Sequence, residues 1–90
     1  MYHIKKQYRL RKEEDGAGLM FDRSTQEVYV LNTTAMWIMS MLDRKPCDLD
    51  EMVSGIDSTF EGAEHETVSK EVKSFVLEST SNGFVEECQA

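Results

Sequence analysis

No stretch of this chain approaches the ~20 consecutive apolar residues that cross a bilayer, and its polar, basic start does not read as a secretory signal. A cytoplasmic location, away from membranes, is the expectation. Cysteine is scarce. Cys47 and Cys88 lie 41 positions apart, without a CxxC pair and without histidine at ligand spacing, which favours two reduced thiols over a disulfide. His3 and His65 stand alone, so the chain shows no metal-ligand spacing. It also lacks a Ser/His/Asp or Cys/His arrangement, a phosphate-cradling glycine loop and a nucleophile elbow. The expectation is a protein that is not an enzyme and carries no cofactor, its many carboxylates forming a solvated surface.

Positive charge is also in short supply. The net charge is −7, and it is uneven: residues 1–23 carry +2, whereas residues 24–90 carry −9. An acidic body repels phosphate backbones, which disfavours nucleic acid as a partner. Apolar residues make up 40% of the 90 and charged residues 30%, the balance of a chain that folds. At this length one small domain is expected, burying only about 60–65% of its unfolded surface.

What the chain does have is a strand pattern that runs into a helix pattern with no linker. Val28-Tyr29-Val30-Leu31 is β-branched and aromatic. Asn32, Thr33 or Thr34 can cap the helix that follows. Upstream, Tyr8-Arg9-Leu10-Arg11 alternates as a half-buried strand does, and Leu19-Met20-Phe21 is a second strand. Polar turns, 13–18 and 22–26, separate them. The pattern predicts an antiparallel three-stranded meander with one face free to cover helices.

Three helices are predicted next. The first spans 33–43, with Ala35, Ile38, Met39 and Leu42 on one face at about 100° per residue. Trp37 and Met41 fall on the opposite side, where they pack against the sheet or stay exposed, and Met36 and Met41 beside Trp37 offer a possible partner patch. Asp48 opens the second helix with Glu51 three residues on, as in a capping box; Leu49, Met52, Val53, Ile56 and Phe60 are its apolar face, interrupted by Gly55. The third spans 66–82 and ends at Gly83, a natural left-handed cap. Val68, Val72, Phe75, Val76 and Ser79 face its core, while Lys70, Lys73 and Leu77 cluster on the other side. A brief strand at 84–86 closes the chain. The fold class is α+β: an N-terminal three-stranded antiparallel sheet followed by a three-helix, winged-helix-like bundle, one domain over 1–90 with its core at about 8–86.

These residues resemble the PqqD-like family, the peptide-recognition domains of ribosomal peptide natural-product pathways. The resemblance rests on Val28-Tyr29-Val30-Leu31-Asn32 leading into Thr34-Ala35 and Ile38, then Leu42-Asp43, Asp48-Leu49-Asp50-Glu51-Met52-Val53, Phe60, Val72, Phe75, Val76 and Gly83-Phe84-Val85. It implies a non-catalytic peptide chaperone that binds the leader segment of a precursor peptide and delivers it to a modifying enzyme, often a radical S-adenosylmethionine enzyme. The leader would add as a strand along Glu27, Val28, Tyr29, Val30 and Leu31 and lie against the third helix. There Leu77 would receive an apolar anchor, and Lys70 and Lys73 would meet acidic leader residues. Arg44 after Asp43, where the family often has glycine, and the absence of proline before the third strand leave open whether the product is pyrroloquinoline quinone or another modified peptide. The competing readings are a DNA-binding winged helix, whose recognition helix would carry Glu66, Glu71 and Glu78 against two lysines, and a plain interaction or homodimerisation module using Trp37 and Met41.

Overall fold

A computed structural model of the chain describes residues 1–59, 62 and 64–88, the Thr59 side chain excepted. In chain order the elements are β1 (Tyr2–Ile4), β2 (Tyr8–Lys12), β3 (Gly18–Asp22), β4 (Val28–Leu31), α1 (Thr33–Arg44), α2 (Leu49–Thr59), α3 (His65–Ser81) and β5 (Val85–Glu87). The expected meander is present as the antiparallel sheet β2-β3-β4. Its register places Leu10, Met20 and Tyr29 in one row and Arg9, Phe21 and Val28 in the next. Because side chains alternate across a strand, the first row faces the helices and the second faces outward.

The expectation of a single N-terminal sheet needs correction. A second, two-stranded sheet joins β1 to β5, pairing Tyr2 with Glu87 and Ile4 with Val85. The chain's two ends are thereby tied together, and Ile4 and Val85 enter the core at 6% and 1% exposure. A three-residue strand has too few positions to show a period, and its partner lies some eighty residues away. The terminal strand is also displaced by one residue from 84–86, because Phe84 belongs to the turn that precedes it.

Local chemistry accounts for the starts of α1 and α2 and for the end of α3. Asn32 is the N-cap of α1: its side-chain Oδ1 accepts the Ala35 N–H at 2.8 Å, meeting one of the four donors a helix start leaves unpaired. At α2 the Glu51 N–H donates to Asp48 Oδ1 at 2.8 Å and the Asp48 N–H donates to Glu51 Oε1 at 3.5 Å, the two halves of a capping box. At the end of α3 the Phe84 N–H donates to the Ser79 carbonyl and the Gly83 N–H to that of Thr80, with Gly83 at φ 83°. This Schellman arrangement needs a left-handed residue at that position.

The core stripes follow the spacing. Ala35, Ile38, Met39 and Leu42 of α1, Met52, Val53 and Ile56 of α2, and Val68, Val72, Val76 and Ser79 of α3 are buried. Phe60, expected to extend the α2 stripe, lies outside the described residues. Met36 is buried too, lying on Gly18 where a side chain would collide with its sulfur. Trp37 and Met41 do not stand free. Both are half-buried against the core, and Trp37 lies across Gly55 of α2. Gly55, unfavourable by helix propensity alone, is the gap that admits the indole.

The β3–β4 turn is built around Asp22. Its Oδ1 accepts the Ser24 hydroxyl at 2.7 Å, the Ser24 N–H at 2.9 Å and the Thr25 N–H at 3.4 Å. The Ser24 hydroxyl bond is the largest cause, opposed by burial and helped by the two backbone donors, and together they hold the carboxyl at about 2 rather than the ordinary 3.8. Gln26, at φ 66°, then carries the chain round so that the Asp22 N–H meets the Glu27 carbonyl at 2.9 Å. Gln26 and Glu27 together oppose Asp22, which is a bulge and sets the register of β4.

Two tests follow from these contacts. Gly55→Ala, which helix propensity alone would favour by about 1 kcal/mol, should instead destabilise the fold by roughly 1–3 kcal/mol because the new methyl overlaps the Trp37 ring. Urea unfolding followed by Trp37 fluorescence reads this directly, and a variant as stable as the parent would remove Trp37 from the α1–α2 seam. Asp22 has a depressed folded-state pKa, so its stabilisation is full above about pH 4 and is lost as the pH falls toward 2. Asp22→Asn should flatten the stability profile in that window; an unchanged acid slope would show that the turn does not depend on this carboxylate.

Candidate functional site

Among the described residues, β4 is paired on one side only: β3 is its neighbour, and none of the other strands bonds to it. The bond from the Asp22 N–H to the Glu27 carbonyl fixes the alternation along the strand. In an antiparallel pair, bonded and non-bonded residue pairs alternate. Glu27, Tyr29 and Leu31 therefore turn their backbone groups toward β3, and Val28 and Val30 turn theirs to the free edge. The side chains divide the same way. Leu31 is buried, Tyr29 half-buried, and Val28 and Val30 are 51% and 82% exposed.

Exposed edges are normally guarded by charge. The opposite edge of this sheet, β2, carries Arg9, Arg11 and Lys12, whereas β4 carries no charge at all. An unguarded edge is unusual, and here it opens onto a concavity. α3 packs chiefly on α2 and β5, and a groove runs between it and β4. Its upper part is lined by Leu31, Asn32, Ala35, Ile38, Glu71 and Phe75, and its lower part by Tyr29, Leu31, Phe75, Glu78, Asn82 and Phe84. The two parts share Val30, Leu31 and Phe75, so they are continuous.

Aromatic contacts set the lower end. Phe84, thrown into place by the Gly83 turn, meets Tyr8 edge-on at 5.4 Å and Tyr29 at 4.8 Å between ring centres. Such pairs add about 0.5–1.5 kcal/mol beyond burial. The Tyr29 hydroxyl donates to Glu27 Oε2 at 2.7 Å, and this bond, with burial and the charge of Glu27, pushes the phenol up to about 12. Tyr29 is thus a fixed neutral donor at the strand's start, with its ring forming part of the groove floor.

Of the strand residues named from sequence, Tyr29, Val30 and Leu31 line the groove, whereas Glu27 and Val28 line neither part of it, and the helix residues named with them also stand apart. Lys70, Lys73 and Leu77 do not line either part of the groove. At about 100° per residue they project on the far side of α3 from Phe75, and Leu77 is 62% exposed there. The helix residues that do line it are Glu71, Phe75 and Glu78. Sequence spacing marked the face opposite the core, whereas the residues that line the groove lie at the margin of the core stripe itself. Half-burial of Phe75 is the sign of that margin, and it depends on how α3 is rotated against α2 and β5.

Among the described residues, no group of three or more His, Cys, Asp or Glu side chains is placed to hold a metal ion. No described helix is long and apolar enough to cross a membrane. Cys47 is buried and Cys88 half-buried, and both are free thiols; burial pushes the Cys47 thiol up. The groove combines an unpaired strand edge, an apolar floor and a helical wall bearing two carboxylates.

Comparison with known proteins agrees with this architecture. TbiB1, solved in complex with the TbiA(beta) leader peptide, superposes with a TM-score of 0.78 over 98% of this chain and 99% of its own, at 16% identity. A lasso peptide synthetase B1, complexed with its leader peptide, superposes with a TM-score of 0.75 over 96% and 98%, also at 16% identity. At that identity these likenesses speak for the fold. No curated protein sequence matches the chain. The family model for coenzyme PQQ synthesis protein D matches residues 18–85, from the start of β3 to the start of β5. With three quarters of its length covered by that model, the chain belongs to the PqqD family.

Proposed function

We propose that this protein binds the leader segment of a ribosomally made precursor peptide by strand addition along β4, and presents it to a modifying enzyme, a radical S-adenosylmethionine enzyme in the simplest case. It performs no catalytic step itself. The observation that carries this reading is the uncharged, unpaired edge of β4 opening onto the groove beside α3. The outward backbone groups of Val28 and Val30 would bond the leader's backbone, while Tyr29 and Leu31 supply the floor on which its inward side chains pack. Main-chain bonds give affinity in this mode, and pockets for alternate side chains give specificity. Two solved proteins of this fold are complexes with leader peptides, which supports the reading. Lys70, Lys73 and Leu77, on the outer face of α3, receive no contact in it.

The alternation separates two substitutions that otherwise look equivalent. Val30→Pro removes an outward N–H and leaves the β3–β4 ladder intact, as proline at a sheet edge does. Tyr29→Pro removes an N–H used by β3 and should unfold the sheet. Isotope-labelled protein titrated with candidate leader peptides should show Val30→Pro folded and weakened about tenfold or more, the loss of at least one backbone bond, toward any leader that the parent binds. Undiminished affinity in a folded Val30→Pro variant would end the strand-addition model.

A further inference from the structure

The groove has a chemical preference of its own. Glu71 and Glu78 stand on its helical wall, one in each part, with Phe75 between them. Among the described residues, neither carboxylate lies within ion-pair distance of a cation. Their neighbours three and four positions away on the helix are Thr67, Val68, Ser74, Phe75, Ser81 and Asn82, so no side chain at ion-pairing distance along α3 can compensate them. Both lysines of α3 project from its far side. The facing strand, Val28–Leu31, is uncharged. Both carboxylates are exposed, and among the described residues the structure sets no cation against them, so a cationic ligand finds them free.

Resting on the reading of the groove as a strand-docking site, we propose that the peptide it takes is basic on the side turned to α3. It carries an apolar residue against Phe75, with lysine or arginine two positions before it and two after. The spacing follows from the two lattices. Seven helical positions separate Glu71 from Glu78, about 10 Å along the axis at 1.5 Å each. Residues on one face of a strand recur every second position, so a pair four apart spans about 13 Å, and the flexible stems of lysine or arginine close the difference. A peptide acidic on that face would set like charges opposite one another, which is unfavourable across paired strands and no less so here.

The overall charge of −7 attracts any cationic peptide, so the test must separate position from charge. Three peptides do this: Thr-Lys-Thr-Leu-Thr-Lys-Thr, with both lysines on the leucine's face; its isomer Lys-Thr-Thr-Leu-Thr-Thr-Lys, with both on the other face; and the first peptide with glutamate for lysine. In an amide chemical-shift titration at low salt, the first should bind about tenfold tighter than either of the others, the scale of two partly exposed charge pairs. A Glu71→Lys, Glu78→Lys double variant should reverse the preference between the first peptide and its glutamate counterpart. Equal affinity for the two lysine isomers, or an unchanged preference in the double variant, would overturn the proposal. Should Val30→Pro still weaken every peptide in that case, strand docking survives and only the charge rule falls. Lysine-peptide binding that ignores Val30→Pro would show attraction to the acidic surface at large, and would remove the docking reading and the charge rule together.

Discussion

The junction at Leu31, Asn32 and Ala35 is the constraint from which the rest of the site follows. Leu31 is buried at the end of β4, and one residue later Asn32 already accepts the Ala35 N–H that starts α1. With no linker to absorb a change of angle, the direction of β4 and the axis of α1 are set together. Buried Ala35 and Ile38 then fix α1 on the core, and the strand edge is held at a fixed height beside the helical layer. α3, packed on α2 and tied to β5 through the Gly83 turn, stands across a gap from that edge. The groove is thus a product of the packing that fixes each of its two sides.

That arrangement resolves a tension between stability and exposure. A small domain buries a modest fraction of its surface, and this one binds its two ends together through β1 and β5 to complete its core. The same pairing could have been spent on β4, which would have removed an exposed edge. Instead β4 stays unpaired and uncharged while β2, the other edge of its sheet, is basic. Protection of one edge and exposure of the other fits a strand whose partner is supplied from outside the chain.

Much of the fold was legible from residue pattern. The Val28–Leu31 strand, the core stripes of all three helices and the Gly83 cap are local features, written in β-branching, in helical spacing and in one glycine. Features that depend on distant contacts were not. β1 is three residues long and meaningful only against β5. Trp37 projects on the side of α1 opposite the core stripe, and the helical projection has no knowledge of Gly55, whose missing side chain makes room for the ring. The candidate site divides along the same line. Its strand was readable, whereas Lys70, Lys73 and Leu77 satisfied only the rule of lying opposite the core and do not line the groove. Glu71, Phe75 and Glu78 line the groove because tertiary packing rotates that margin toward β4, and no helical projection contains that rotation.

The central claim is that a peptide strand completes the sheet at β4, and backbone alternation gives it a residue-by-residue signature. Amide hydrogen exchange measured with and without a bound leader peptide reads it most directly. In the free protein Tyr29 and Leu31 should be protected by β3, while Val28 and Val30 exchange freely; on binding, Val28 and Val30 should become protected and their neighbours should change little. Binding that leaves Val28 and Val30 as exchangeable as before would contradict the account.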